Sequence, residues 1–116
     1  MALFGIGRAV PVVVRIEANV QWQIFRDPAS EEWIGVCQAL NLNAIGETFE
    51  DFFDCANEAT QLLLTELLEK GELQAFLRRQ GWTPSAMPTP GSPVRWDVPF
   101  EMRPRARFEE LEPQLA

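Results

Sequence analysis

The sequence predicts an α+β domain with about five short strands, one long capped helix and a second, short helix. Three patterns carry this expectation. At residues 10–25 and again at 94–102, apolar and polar residues alternate with period two, the signature of half-buried strands. Between Thr48 and Gly71 apolar residues recur every three or four positions, bounded by good capping residues. Elsewhere proline and glycine interrupt the chain where turns are needed, most densely at prolines 84, 88, 90 and 93.

Taken in order, residues 1–8 hold two glycines and few polar anchors, and they read as a loosely held arm. The first strand is expected over 10–18, with Val12, Val14, Ile16 and Ala18 on one side. The second is expected over 20–25, with Val20, Trp22 and Ile24 inward. The break between them is weak, and one long bent strand fits the same pattern. Asp27, Pro28 and Ser30 give residues 27–32 the chemistry of a hairpin loop. Residues 33–39 are apolar on both faces, as in a strand covered on two sides. A short strand at 42–45 then leads to Gly46.

Thr48 is the N-cap of the long helix, and Asp51 stands where a capping box needs an acid. The spacing predicts a buried stripe of Phe49, Phe52, Phe53, Ala56, Ala59, Leu63 and Leu67. The acids Glu47, Glu50, Asp51, Asp54 and Glu58 crowd its first turns, where the helix dipole favours them. A second helix is expected over 72–80, stopped by Gly81. Residues 83–93 read as an extended connector and 94–102 as a last strand, which Pro99 restricts to a sheet edge. The tail, 103–116, is charged and proline-punctuated, with 108–115 able to form a turn or two of helix.

This is the content of a single domain over residues 1–116, with a core at 8–82, and it is large enough to fold without staples. The two cysteines, Cys37 and Cys55, read as small buried hydrophobes in a reducing cytoplasm rather than as a disulfide. No signal peptide and no membrane-spanning apolar run is expected. The net charge of −7 opposes direct nucleic-acid binding, because a phosphate surface needs clustered cations. The same charge suits a basic protein partner, which it would steer electrostatically.

A catalytic centre is not legible. With no histidine and no tyrosine, the usual general base and the usual nitrogen metal ligand are missing. The cysteines lack zinc-site spacing, and Gly5-Ile6-Gly7-Arg8 is not a phosphate loop. One catalytic idea is a magnesium-binding cluster from the helix acids, which would need Glu17 or Asp97 from the strands to converge with them. Against it, a row of acids on a helix is ordinarily a solvated, dipole-compensating face. Trp22, Trp33, Trp82 and Trp96 read as core residues or as anchors of an interface.

The run Trp33-Ile34-Gly35-Val36-Cys37-Gln38-Ala39-Leu40, then Gly46-Glu47-Thr48-Phe49-Glu50-Asp51, then Ala56, Glu58 and Ala59, resembles the HicB-like antitoxin family. The resemblance covers roughly residues 20–82. It departs from the family at 40–43, where a Leu-Pro-Gly-like turn is usual, and at Phe52 and Cys55. Residues 83–116 are too proline-rich for the family's C-terminal DNA-binding module. The resemblance implies a degenerate RNase H-like fold, in which a small, mainly antiparallel sheet carries the capped helix on one face. It also implies an absence of enzymatic activity and of any cofactor or metal, self-association, and a role in occluding a small basic ribonuclease toxin. For that contact the acids Asp27, Glu31 and Glu32 of the hairpin loop, and Glu47 and Glu50 beside the helix start, are the expected partner-binding residues. The alternative is an orphan homo-oligomer that assembles through an exposed edge such as residues 10–18.

Overall fold

The computed structural model describes residues 10–104, which form seven strands and two helices. In order these are β1 (Val12–Glu17), β2 (Val20–Arg26), β3 (Trp33–Cys37), β4 (Leu42–Gly46), α1 (Phe49–Glu69), α2 (Leu73–Gln80), β5 (Thr83–Pro84), β6 (Val94–Asp97) and β7 (Phe100–Pro104). The mixed α+β class and the long helix lying on a sheet match the expectation. The strands divide into a four-stranded sheet, β4-β3-β2-β7, and a three-stranded one, β5-β1-β6. Three of the five pairings are antiparallel; β1 with β6 and β2 with β7 are parallel.

The two sheets share two bent ribbons. Only Ala18 and Asn19 separate β1 from β2, and only Val98 and Pro99 separate β6 from β7. Arg15 lies opposite Asp97 and Val20 opposite Phe100, so four residues of one ribbon span the bend against two of the other. The extra residues let the first ribbon turn the outside of the corner. Pro99, which cannot donate to a ladder, sits at that corner between two edge strands, as its chemistry demands.

Several expectations are corrected. Residues 83–93 are not wholly irregular, because Thr83 and Pro84 pair with β1, and Ser85 adds a backbone bond to the Arg15 carbonyl and a hydroxyl that accepts from the Arg15 N–H. The strand expected over 94–102 is two strands, and β7 takes Arg103 and Pro104 from the expected tail. The first strand is only partly an edge: β6 pairs along Val12–Arg15 on one side, while on the other β5 takes Ile16 and Glu17, so the edge suggested for 10–18 is closed at its C-terminal end. The arm at 1–8 and the turn of helix at 108–115 lie outside the described residues.

The helix stripe also drifts. The buried line of α1 is Phe52, Ala56, Thr60, Leu64 and Leu68, a strict spacing of four, while Phe49 and Phe53 are exposed and Ala59, Leu63 and Leu67 half-buried. Apolar residues occupy more than one side of this helix, so periodicity alone does not say which side faces the sheet. Thr60 can join the buried line because its hydroxyl donates to the Ala56 carbonyl at 2.9 Å. The predicted cap is present: Thr48 Oγ1 accepts from the Asp51 N–H at 3.0 Å. The second helix ends at Gly81 in the left-handed region, with φ 76°.

The core forms where α1 meets the sheet. Phe52 is fully buried, and its ring packs edge-on to Trp22 at a centroid distance of 6.0 Å. The ring occupies the space a side chain on Gly35 would need, and a Cβ on Gly46 would collide with the Phe52 backbone. Two glycines therefore set how closely the helix approaches β3 and β4. Removing the Phe52 ring should cost about 3–5 kcal/mol. Gly35→Val, which adds volume at the same contact, should also lower the urea midpoint; a variant as stable as the wild type would show that the helix is not held at this point.

Candidate protein-binding surface

Register places Arg26, Trp33 and Gly46 side by side at one end of the four-stranded sheet. All five acids named from the sequence emerge from that end, three in the β2–β3 loop and two at the β4–α1 junction. They do not play the same role.

The loop is held from within. Asp27 Oδ2 accepts from the Ser30 hydroxyl at 2.7 Å and from the Ser30 N–H at 3.2 Å, and the Ser30 hydroxyl in turn accepts from the Glu32 N–H. The hydroxyl bond, with the backbone bond behind it, holds the Asp27 carboxyl below the usual carboxylate range. Glu31 adopts a left-handed backbone with φ 63°. Its carbonyl accepts from Arg26 Nε at 3.2 Å, and its carboxylate lies 3.6 Å from the same guanidinium. Asp27 and Glu31 thus build the loop. Glu32 is half-buried, whereas Glu47 and Glu50 are exposed and form no ion pair among the described residues.

Apolar side chains share this end. Trp33 packs edge-on against Phe49 at 5.4 Å, with the Arg26 guanidinium 6.0 Å from the indole. Phe49 stays 42% exposed and Ile45 50% exposed. Sequence reasoning missed both, by assigning Phe49 to the buried stripe and by reading Ile45 only as a strand residue. The signal for Ile45 was present: in Leu42-Asn43-Ala44-Ile45, alternation puts Leu42 and Ala44 inward and leaves Ile45 with Asn43 outside.

The strand acids do not join the helix acids. Glu17 and Asp97 both lie beside Arg15, at 3.5 and 3.1 Å, on the three-stranded sheet. No group of three or more His, Cys, Asp or Glu among the described residues is placed to hold a metal. Cys37 is buried and Cys55 half-buried, both as free thiols, and burial pushes the Cys37 thiol up from its ordinary value. Trp22 and Trp96 are core residues; Trp33 and Trp82 are half-buried. No helix among the described residues is long and apolar enough to cross a membrane.

Compared with known protein families, curated proteins and solved structures, the chain gives no match.

The Asp27 bonds have a pH signature. Because the folded carboxyl is depressed, the stability it adds is complete above the unfolded Asp value of 3.8 and is lost as pH falls through the lower folded value. Protection of the Ser30 amide should therefore persist to pH 3.8 and fall only below it, and in Asp27→Ala it should be lost at every pH. Loss in the wild type at a higher pH would contradict this role of Asp27.

Proposed function

We propose that this chain is a HicB-like protein-binding domain, the antitoxin of a toxin–antitoxin pair, which acts by occlusion and performs no chemistry. Its partner on this reading is a small basic ribonuclease whose active surface it covers in the cytoplasm. The observation that carries the reading is the single acidic end of the four-stranded sheet, where Glu47 and Glu50 stand exposed beside Phe49 and Ile45. Exposed acids speed the encounter with a basic surface, and apolar anchors lengthen the life of the complex. The capped helix on one face of a mainly antiparallel sheet is in keeping with the family resemblance.

A second reading, the orphan homo-oligomer, draws on different edges from the one expected. Among the described residues β4 and β7 each pair on one side only, so their outer edges are available to a second copy.

Light scattering behind size exclusion, on the protein alone and co-expressed with its neighbouring open reading frame, separates the two. The antitoxin reading predicts a complex with a small basic protein that weakens as salt rises. Glu47→Lys with Glu50→Lys should slow association about tenfold or more at low salt. A homo-oligomer indifferent to the neighbour would replace the first reading with the second.

A further inference from the structure

Helix α1 runs antiparallel to the C-terminal ribbon and keeps step with it. The Gln61 side chain bonds the Trp96 backbone as donor and as acceptor, and nearer the helix start the Phe53 ring lies 5.4 Å from that of Phe100. From Phe53 to Gln61 the helix rises about 12 Å, and from Trp96 to Phe100 the ribbon advances about 13 Å. Asn57, midway on the helix, therefore falls level with Val98. There the bonded row is interrupted. The Asn57 carboxamide is exposed and makes no hydrogen bond among the described residues.

A cavity of about 410 Å³ opens at this level, between Phe53 and Asn57 on the helix and Val98, Pro99 and Phe100 on the ribbon. Phe53 is 44% exposed, so one ring of the aromatic pair faces solvent, while Val98 is buried and Phe100 half-buried. Arg95 and Asp97 also contribute to the wall. Their side chains alternate with Trp96, whose indole reaches Thr65 on α1, and so turn to the opposite side of β6, where Asp97 meets Arg15. Three acids stand beside the cavity. Glu50, Asp54 and Glu58 are exposed, follow one another along α1 at about 6 Å per step, and form no ion pair among the described residues.

We propose that this cleft binds an extended segment of a basic protein. An apolar side chain of that segment lies against Phe53 and Phe100, the adjoining peptide group bonds the Asn57 carboxamide, and the cations on either side reach Asp54 and Glu58. The inference goes beyond the reading above, since it uses the flank of α1 rather than the end of the sheet and does not require the partner to be a ribonuclease.

Charge complementarity chooses the occupant. In a chain of net charge −7, unpaired acids beside the cleft repel phosphates and draw a cation-bearing segment. An extended chain repeats every two residues at about 6.6 Å, close to the step of the acids, so alternate cations match consecutive carboxylates. The residue between two such cations points the other way, into the cleft. A carboxamide, with both donors and an acceptor, suits a peptide group, which offers one of each.

The test titrates a peptide with blocked termini, Ala-Lys-Leu-Lys-Ala, into the isotopically labelled full chain. Its control, Ala-Lys-Gly-Lys-Ala, carries equal charge. The proposal expects saturable amide shifts at Phe53, Asn57, Val98 and Phe100, the Asn57 side-chain amide included, which weaken as salt rises. The glycine peptide should bind about tenfold more weakly, because it lacks the buried side chain. Asn57→Ala, at an exposed position where alanine favours the helix, should keep the thermal midpoint and weaken binding about three- to tenfold. Asp54→Lys with Glu58→Lys should weaken it about tenfold at low salt, whereas Leu62→Ala, elsewhere on α1, should change it less than about twofold. No saturation by about 1 mM peptide, equal binding of the glycine peptide, or unchanged affinity in Asn57→Ala would overturn the proposal. Shifts centred on Phe49 and Ile45 would overturn it in favour of the acidic end of the sheet.

Discussion

The close approach of Phe52 to Gly35 and Gly46 is the contact on which the rest of the structure depends. A phenyl ring lies where other residues would carry a Cβ, so α1 sits down onto β3 and β4 rather than standing off them. Trp22 then closes over Phe52 from β2, and Phe100 over Trp22 from β7 at 6.4 Å. One aromatic chain thus runs from the helix across the sheet to its far strand. The glycines serve by lacking volume, and neither needs an unusual backbone.

Once α1 is seated, its far side holds the C-terminal ribbon. The Gln61 side chain accepts from the Trp96 N–H at 2.8 Å and donates to the Trp96 carbonyl at 2.6 Å, taking the place of a neighbouring strand on the outer side of β6. Thr65 accepts from the Trp96 indole, and Glu69 from the Gly91 N–H. Three side chains spaced four apart on α1 therefore hold residues 91–97 and protect an edge that would otherwise present unpaired groups. The same helix whose first turn frames the acidic end closes the three-stranded sheet with its last turns.

Much of this was legible in the chain because it is local. Thr48 and Asp51 announce the helix start, Gly81 the end of the second helix, and alternation places β1 and β2 to within a residue or two and the start of β6. What was not legible depends on partners distant in sequence. The pairing of Thr83 with Glu17 rescues a proline-rich segment that has no strand pattern of its own. The buried line of α1 was obscured because Leu62, Leu63 and Leu64 give apolar character to three directions, and only the sheet selects Leu64. At the candidate surface, the sequence singled out the acids but not that they share one end of the sheet, nor that Asp27 and Glu31 are engaged within the loop while Glu47 and Glu50 face outward.

The gathering of these acids at one end of the sheet follows from this architecture, since β4 must deliver the chain to the helix start at the end where the hairpin loop also turns. The central claim is that one seated helix unites both sheets, and native-state hydrogen exchange tests it most directly. The account predicts that amides of β2, β3, β7 and the Phe52–Leu64 stretch of α1 exchange through one shared opening. Phe52→Ala should lower the opening free energy of all of them by the same amount, about 3–5 kcal/mol. If β6 and β7 opened separately and were indifferent to Phe52→Ala, the C-terminal ribbon would be an independent attachment and the account would be wrong.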